Sequence, residues 1–217
     1  MDKEMESMLP SVRGSQFGFT PALDVYEDKD NLVVEAQLGG IDPEKVGVAG
    51  FSAGGHNCAM LVNVMRNNPV AYPGYVPDEI DAVDARIALA GLFYPAIDLV
   101  YNPGILFALA DHDLVRHPTT RHALIDQFNP TRYVQPNDPP QFLGYGTHDT
   151  LVDPQGLMAY KAALDQKGIP NRLFPVEGVG HGFAPLTLVD IVRSKFVKQA
   201  DWRKAFTEWA NAIFGEK

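Results

Sequence analysis

The sequence predicts an α/β fold: a mostly parallel β-sheet covered by helices on both faces, with an N-terminal β-hairpin and a small helical cap. Three observations predict it. Apolar runs without strict alternation recur at 46–50, 85–93, 141–145 and 171–176, as expected of strands buried on both faces. Segments with helical spacing at 53–67, 154–167 and 200–214 follow them, the rhythm of parallel strands joined by crossover helices. Residues 96–138 break that rhythm. An insertion after a strand end lands over the crevice where such sheets bind ligands, so this one reads as a cap.

Taken in order, residues 1–16 are polar and mixed and are expected to be mobile. Leu23-Asp24-Val25-Tyr26 and Leu32 to Leu38 are β-prone and flank the charged turn Glu27-Asp28-Lys29-Asp30-Asn31, which predicts an antiparallel hairpin. Gly39-Gly40-Ile41-Asp42-Pro43 breaks its second strand. Strand 46–50 then runs straight into a helix over 53–67. Ala85 to Phe93 (ARIALAGLF) is nearly all apolar and stops at Tyr94-Pro95. In the cap, Ile105 to Leu109 and His122 to Phe128 read as short apolar helices. Gln141 to Tyr145 is bounded by Pro139-Pro140 and Gly146. The next helix places Leu157, Tyr160, Ala163 and Leu164 at helical spacing, with Pro154 near its start and Gly168 at its end, the expected placing of the two residues. After strand 171–176, Ala200 to Phe214 forms a closing amphipathic helix carrying Trp202, Phe206, Trp209 and Ile213.

Composition narrows the function. A chain of 217 residues, 46% hydrophobic and 21% charged, can bury a full core as one domain or a domain with an appendage. A net charge of −9 argues against nucleic acid and anionic membranes as partners. Cys58 is the sole cysteine, so neither an internal disulfide nor a cysteine metal cluster can form. No run of about 18 apolar residues is present to span a bilayer. The start, Met-Asp-Lys-Glu-Met-Glu, lacks the apolar segment of a signal peptide, so a cytoplasmic location is expected.

The chemistry begins at Gly50-Phe51-Ser52-Ala53-Gly54. Glycine-x-serine-x-glycine between a strand and a helix is a sharp turn that presents the serine oxygen at its tip. Glycines at 50 and 54 are expected because a Cβ at either would collide with neighbouring backbone. Ser52 would sit at a helix start, where free N–H groups favour developing negative charge. A serine hydroxyl needs a base, and the base an orienting group. Both come from later strand ends: Gly146-Thr147-His148-Asp149 after strand 141–145, and Gly178-Val179-Gly180-His181-Gly182 after strand 171–176. The order Ser52, Asp149, His181 is that expected of nucleophile, acid and base on such a sheet. Asp153 competes with Asp149, but its place before Pro154 suits a helix cap. His148 reads as a loop residue, His56 as a helix residue behind the serine, and Cys58 as a small hydrophobe. His112, His117 and His122 follow no regular ligand spacing and read as exposed cap residues. No metal and no cofactor is implied.

From about Asp42 onward the chain resembles α/β-hydrolase carboxylesterases, especially those near hormone-sensitive lipase and acetyl-xylan or feruloyl esterases. The motifs are VGVAGFSAGGH, RIALAGLFYPAIDL, PPQFLGYGTHDTLVD and GVGHGF. The resemblance implies Ser52, Asp149 and His181 as the triad and the Ala53 backbone N–H as one oxyanion donor. FTPALDVYEDKDNLVVEAQLGGIDPEKV instead resembles the opening of the α-crystallin domain of small heat-shock proteins. These resemblances imply a chimera: a small heat-shock-like segment at 1–46, and a truncated α/β-hydrolase domain at 47–217 with its cap at about 96–138. Such hydrolases carry strands and a His-Gly-Gly-Gly loop before the serine, which this chain lacks. Gly39 and Gly40 are the candidates for the missing oxyanion donors. Strand 46–50 would be a sheet edge, which the hairpin could cover by antiparallel pairing, with self-association over the remainder.

The expected function is a serine carboxylesterase acting on short-chain or aryl esters, broad in substrate, with a small-molecule ester as ligand and a homo-oligomer as the assembly. The alternative is a weak or silent chimeric remnant serving as an oligomerising, chaperone-like module.

Overall fold

The computed structural model describes residues 23–28, 31–36, 42–65, 76, 87–105, 116–184 and 201–215. The chain divides into two compact units, Met1–Ile41 and Asp42–Lys217, with the boundary slightly ahead of the expected junction at 46.

In the first unit, strands β1 (Leu23–Asp28) and β2 (Asn31–Ala36) pair antiparallel, Leu23 opposite Ala36 and Asp28 opposite Asn31. The hairpin expected around the charged turn is therefore formed. Among the described residues it is a two-stranded sheet of its own, and the antiparallel pairing expected with strand 46–50 is not among the pairings there. Gly39 and Gly40 lie outside the described residues.

The second unit holds four parallel strands in chain order: β3 (Val48–Phe51), β4 (Ala90–Phe93), β5 (Gln141–Gly146) and β6 (Asn171–Val176). Their register aligns Val48 with Ala90, Ala90 with Gln141 and Gln141 with Asn171. All the strands start level, so their carboxyl ends form one rim.

Helix α1 (Ala53–Met60) leaves β3 through a one-residue turn, and a π-helical turn over Leu61–Met65 continues it. The uniform helix expected over 53–67 thus changes winding at Leu61. The widened turn carries Asn63, whose buried side chain donates to Tyr160 Oη (2.6 Å) and accepts from Gln141 Nε2 (3.2 Å). Tyr160 in turn donates to Gln141 Oε1 at 2.7 Å. The described residues of this unit also hold helices α2 (Pro118–Gln127), α3 (Pro154–Gln166) and α4 (Trp202–Phe214). Asp153 caps α3 by accepting from the Gln155 N–H at 2.9 Å, with Pro154 as its first residue. Asp201 caps α4 in the same way, and Gly215 ends it in the left-handed conformation (φ 69°).

Because side chains alternate across a strand, the sheet has two chemically distinct faces. Ala90, Leu92 and Leu143 meet Ala59 and Val62 from one side of the chain path and Leu157, Tyr160 and Leu164 of α3 in an aliphatic core. Phe93, Phe142 and Val176 meet Phe206, Trp202 and Trp209 of α4 in an aromatic one. A Cβ on Gly91 would stand 2.8 Å from the Phe206 ring, so that glycine makes room for α4. In the cap region, Ile105, Leu124, Ile125 and Phe128 pack around buried Leu99. Of the helix expected over His122–Phe128, His122 to Gln127 lie in α2 and Phe128 is its C-cap, whereas the helix expected at 105–109 falls mostly outside the described residues. Among the described residues no helix is long and apolar enough to cross a membrane.

Candidate active site

Ser52 is the single residue between β3 and α1, and its backbone is left-handed, φ 53° and ψ −120°. A non-glycine residue adopts this only where the surroundings enforce it. They do so through three bonds. The Ser52 N–H donates to the Phe93 carbonyl (2.9 Å), and its own carbonyl accepts from His56 N–H (3.1 Å) and Ala96 N–H (3.4 Å). Gly50 permits the turn, since a Cβ there would lie 2.1 Å from the Gly54 carbonyl oxygen and 2.8 Å from Cys58 Sγ. The matching expectation for Gly54 is corrected: a Cβ there meets nothing within 4 Å. The crowding falls one residue later, at Gly55, 2.8 Å from Pro95 Cβ.

The turns after β5 and β6 are laid against each other. Thr147 N–H donates to the Val176 carbonyl (3.1 Å), and His148 N–H donates to that of Val179 (2.9 Å). Thr147 Oγ1 accepts from Gly178 N–H at 2.9 Å. Any Cβ at Gly146 would strike the Val179 carbonyl oxygen at 2.5 Å, so the closeness of the two turns depends on that glycine.

This apposition brings Asp149 to His181. Asp149 Oδ2 lies 2.7 Å from His181 Nδ1, and His181 Nε2 lies 2.7 Å from Ser52 Oγ. The other carboxylate oxygen accepts from Leu151 N–H and Val152 N–H, each at 3.0 Å. The Asp149 side chain is only 2% exposed and the imidazole 16%. A carboxylate can only accept, so Nδ1 carries the proton and Nε2 is left to accept from the serine hydroxyl. Protons can pass along this line from Ser52 Oγ to His181. Ala53 opens α1 next to the serine, so its N–H belongs to the first helical turn, where backbone donors lack an intrahelical partner.

The other candidates take the places expected of them. Asp153 is a helix cap, and His148 is an exposed loop residue. His56 is buried behind the serine, its Nδ1 donating to the Ala96 carbonyl at 3.0 Å; burial pulls its pKa below the usual histidine value. Cys58 packs on the aliphatic core, and burial pushes its thiol pKa up. His117 and His122 are exposed on and beside α2, while His112 lies outside the described residues.

A cleft of about 890 Å³ opens over Ser52, within the size range of small-ligand sites. Its walls are Ala53, Ala96, the 101–105 stretch of the cap and the 149–154 loop. Tyr101 (44% exposed) and Leu151 (70%) present apolar surface at its mouth. Two further residues, neither a candidate from the sequence, shape this region. Asn102, buried in the wall, accepts from Asp153 N–H (2.7 Å) and donates to the Ile97 carbonyl (3.2 Å), tying the cap to the loop that carries Asp149. The dipeptide Asn102-Pro103 was its one local cue, as a turn starter. The other residue is Tyr94, whose ring meets the His181 imidazole edge to face at 4.9 Å.

Comparison with known proteins places these features in a lineage. Residues 24–164 match the family model described as BD-FAE. The chain is similar to esterase LipQ of Mycobacterium tuberculosis, 26% identical over 187 residues that cover 84% of this chain and 41% of that protein. It is also similar to the acetyl ester-xyloside bifunctional hydrolase from Caldicellulosiruptor lactoaceticus, with a TM-score of 0.60 and 25% identity over 82% of this chain and 60% of that one. A thermophilic esterase from Thermogutta terrifontis shares the fold, with a TM-score of 0.55 and 22% identity over 80% of this chain and 57% of that one. The chain thus spans less than two thirds of the length of each. The family match begins at residue 24 and takes in β2 and all of β1 but its first residue; the small heat-shock resemblance finds no support in these comparisons.

Proposed function

The chain belongs to the BD-FAE family, and on that premise we propose that it is a serine carboxylesterase hydrolysing short-chain or aryl esters through an acyl-enzyme on Ser52. The observation that carries the reading is the unbroken line from Ser52 Oγ to His181 Nε2 and from Nδ1 to Asp149, both links 2.7 Å, whose two ends, Ser52 and Asp149, line an open cleft.

In the proposed reaction, Ser52 Oγ attacks the ester carbonyl as its proton passes to His181 Nε2. The resulting oxyanion is held by the Ala53 N–H at the first turn of α1. Collapse expels the alcohol, which takes the proton from the imidazolium. A water molecule, deprotonated by the same imidazole, then attacks the acyl-enzyme and releases the acid. Asp149 fixes the tautomer and stabilises the transient imidazolium throughout. The apolar mouth at Tyr101 and Leu151 supports acceptance of acetyl, butyryl and aryl groups. Acetylated or feruloylated sugars are the narrower version of this substrate class, and similarity to the Caldicellulosiruptor acetyl ester-xyloside hydrolase supports the acetylated ones.

Hydrolysis of p-nitrophenyl acetate and butyrate by the wild type and Ser52→Ala tests the reading. A drop of at least ~10⁴-fold in kcat is expected from loss of a triad serine; equal rates in the two proteins would refute it. We further propose self-association, supported by β3 as an edge strand of the four-stranded sheet. Elution as a monomer at all loading concentrations in size-exclusion chromatography would refute that.

A further inference from the structure

Resting on the esterase reading, we propose that Tyr94 is a positioning residue: its ring is the wall that keeps the His181 imidazole in line between Asp149 and Ser52. Two hydrogen bonds fix the ends of the imidazole but leave it free to swing about the axis that joins them. Tyr94 closes that freedom. Its ring stands edge to face with His181 at 4.9 Å and an interplanar angle of 68°. Behind it, Phe183 packs at 4.8 Å and 72°, and Phe51 lies at 6.0 Å. Phe183 follows His181 by two residues, so this packing ties the Tyr94 ring to the segment that carries the imidazole.

The backbone of Tyr94 makes the same point from a different direction. It adopts φ 38°, one of three non-glycine residues with positive φ among those described, and is 4% exposed. Glycine and asparagine accept this conformation far more readily than an aromatic residue. The turn alone therefore favours another residue type, and the ring accounts for tyrosine. Neighbouring bonds fix where the ring starts: Tyr94 N–H donates to the Gly144 carbonyl (2.7 Å), and Phe93 supplies the carbonyl that holds Ser52 N–H. One strand end thus sets both the serine and the surface that faces its base.

The test pairs Tyr94→Asn, which keeps the left-handed turn and loses the ring, with Tyr94→Phe, which keeps the ring. For Tyr94→Asn, kcat is expected to fall by about 10–100-fold with KM within about threefold, the scale of a misplaced catalytic group. The low-field proton resonance of His181 Nδ1–H should broaden or vanish. Tyr94→Phe should retain the resonance and stay within about fivefold of wild-type kcat. Wild-type kcat in Tyr94→Asn, or a loss of kcat with the resonance intact, would overturn the proposal. Should Tyr94→Asn fail to fold, Phe183→Leu removes the ring packed behind Tyr94. A fall in kcat of about three- to tenfold with a broadened resonance is then expected, and no change in either would overturn the proposal. The resonance is read without any ester, so the role of Tyr94 is judged separately from the Ser52→Ala result on which the esterase reading depends.

Discussion

Two side-chain triads stand at opposite ends of the parallel sheet. At the carboxyl rim, Ser52, His181 and Asp149 are joined at 2.7 and 2.7 Å. At the amino end, where β5 begins, Asn63, Tyr160 and Gln141 are joined at 2.6, 2.7 and 3.2 Å. Bond lengths do not tell the two apart; access and titration do. The first triad ends on a cleft and contains an imidazole able to take and return a proton. In the second, every member is fully buried, and burial pushes the Tyr160 hydroxyl pKa far up, with the Asp138 charge adding to the effect. That triad has no group that changes charge at working pH. It holds a π turn, a strand start and a helix together, and a buried network of this kind is worth most when fully satisfied.

The comparison can be broken at either end. The largest effect is expected from Asp149→Asn, which keeps the shape but removes the carboxylate that sets the His181 tautomer. A loss of ~10³–10⁴ in kcat with an unchanged melting temperature is expected from steady-state kinetics and calorimetry. Tyr160→Phe should do the reverse. Asn63 and Gln141 would lose a shared partner in a dry site, costing about 1–3 kcal/mol in denaturant unfolding, while kcat stays near wild type. The smallest effect concerns His56. Its folded pKa lies below the unfolded value of 6.5, so the unfolded chain binds the proton first. Its contribution to stability is complete above about pH 6.5 and is lost as pH falls from there toward the folded pKa. Urea midpoints measured across that window should decline in the wild type and decline less in His56→Asn.

Much of the rim was legible in the sequence because its determinants are local. Gly50 and Ser52 make a turn of a few residues, Asp153-Pro154 announces a helix start, and Gly146 and the 178–182 turn stand at strand ends. Hairpin and strand positions were legible for the same reason: apolar runs bounded by glycine, proline or charge. The amino-end triad was not legible. Asn63 and Gln141 are separated by 78 residues, and no periodicity marks an asparagine, a glutamine and a tyrosine as partners. The change of winding at Leu61 was hidden for the same reason, since it accompanies those distant contacts. Gly54 misled in the other direction. The motif suggests crowding on both sides of the serine, whereas the close approach falls on Gly55 because Pro95, from another strand end, lies over it. Tyr94 was visible only as the residue at which an apolar run stops.

The register of the parallel strands has a consequence for how the site comes into being. Ser52 and His181 are 129 residues apart in the chain, and His181 and Asp149 are 32 apart. No contiguous fragment shorter than that span contains the proton line, and closing so long a loop costs entropy that the local turns cannot offset alone. The serine turn leans on Phe93 and Ala96, and the acid and histidine turns lean on each other. Their chemistry exists only once β3 to β6 are aligned, so the proton line marks completion of the sheet.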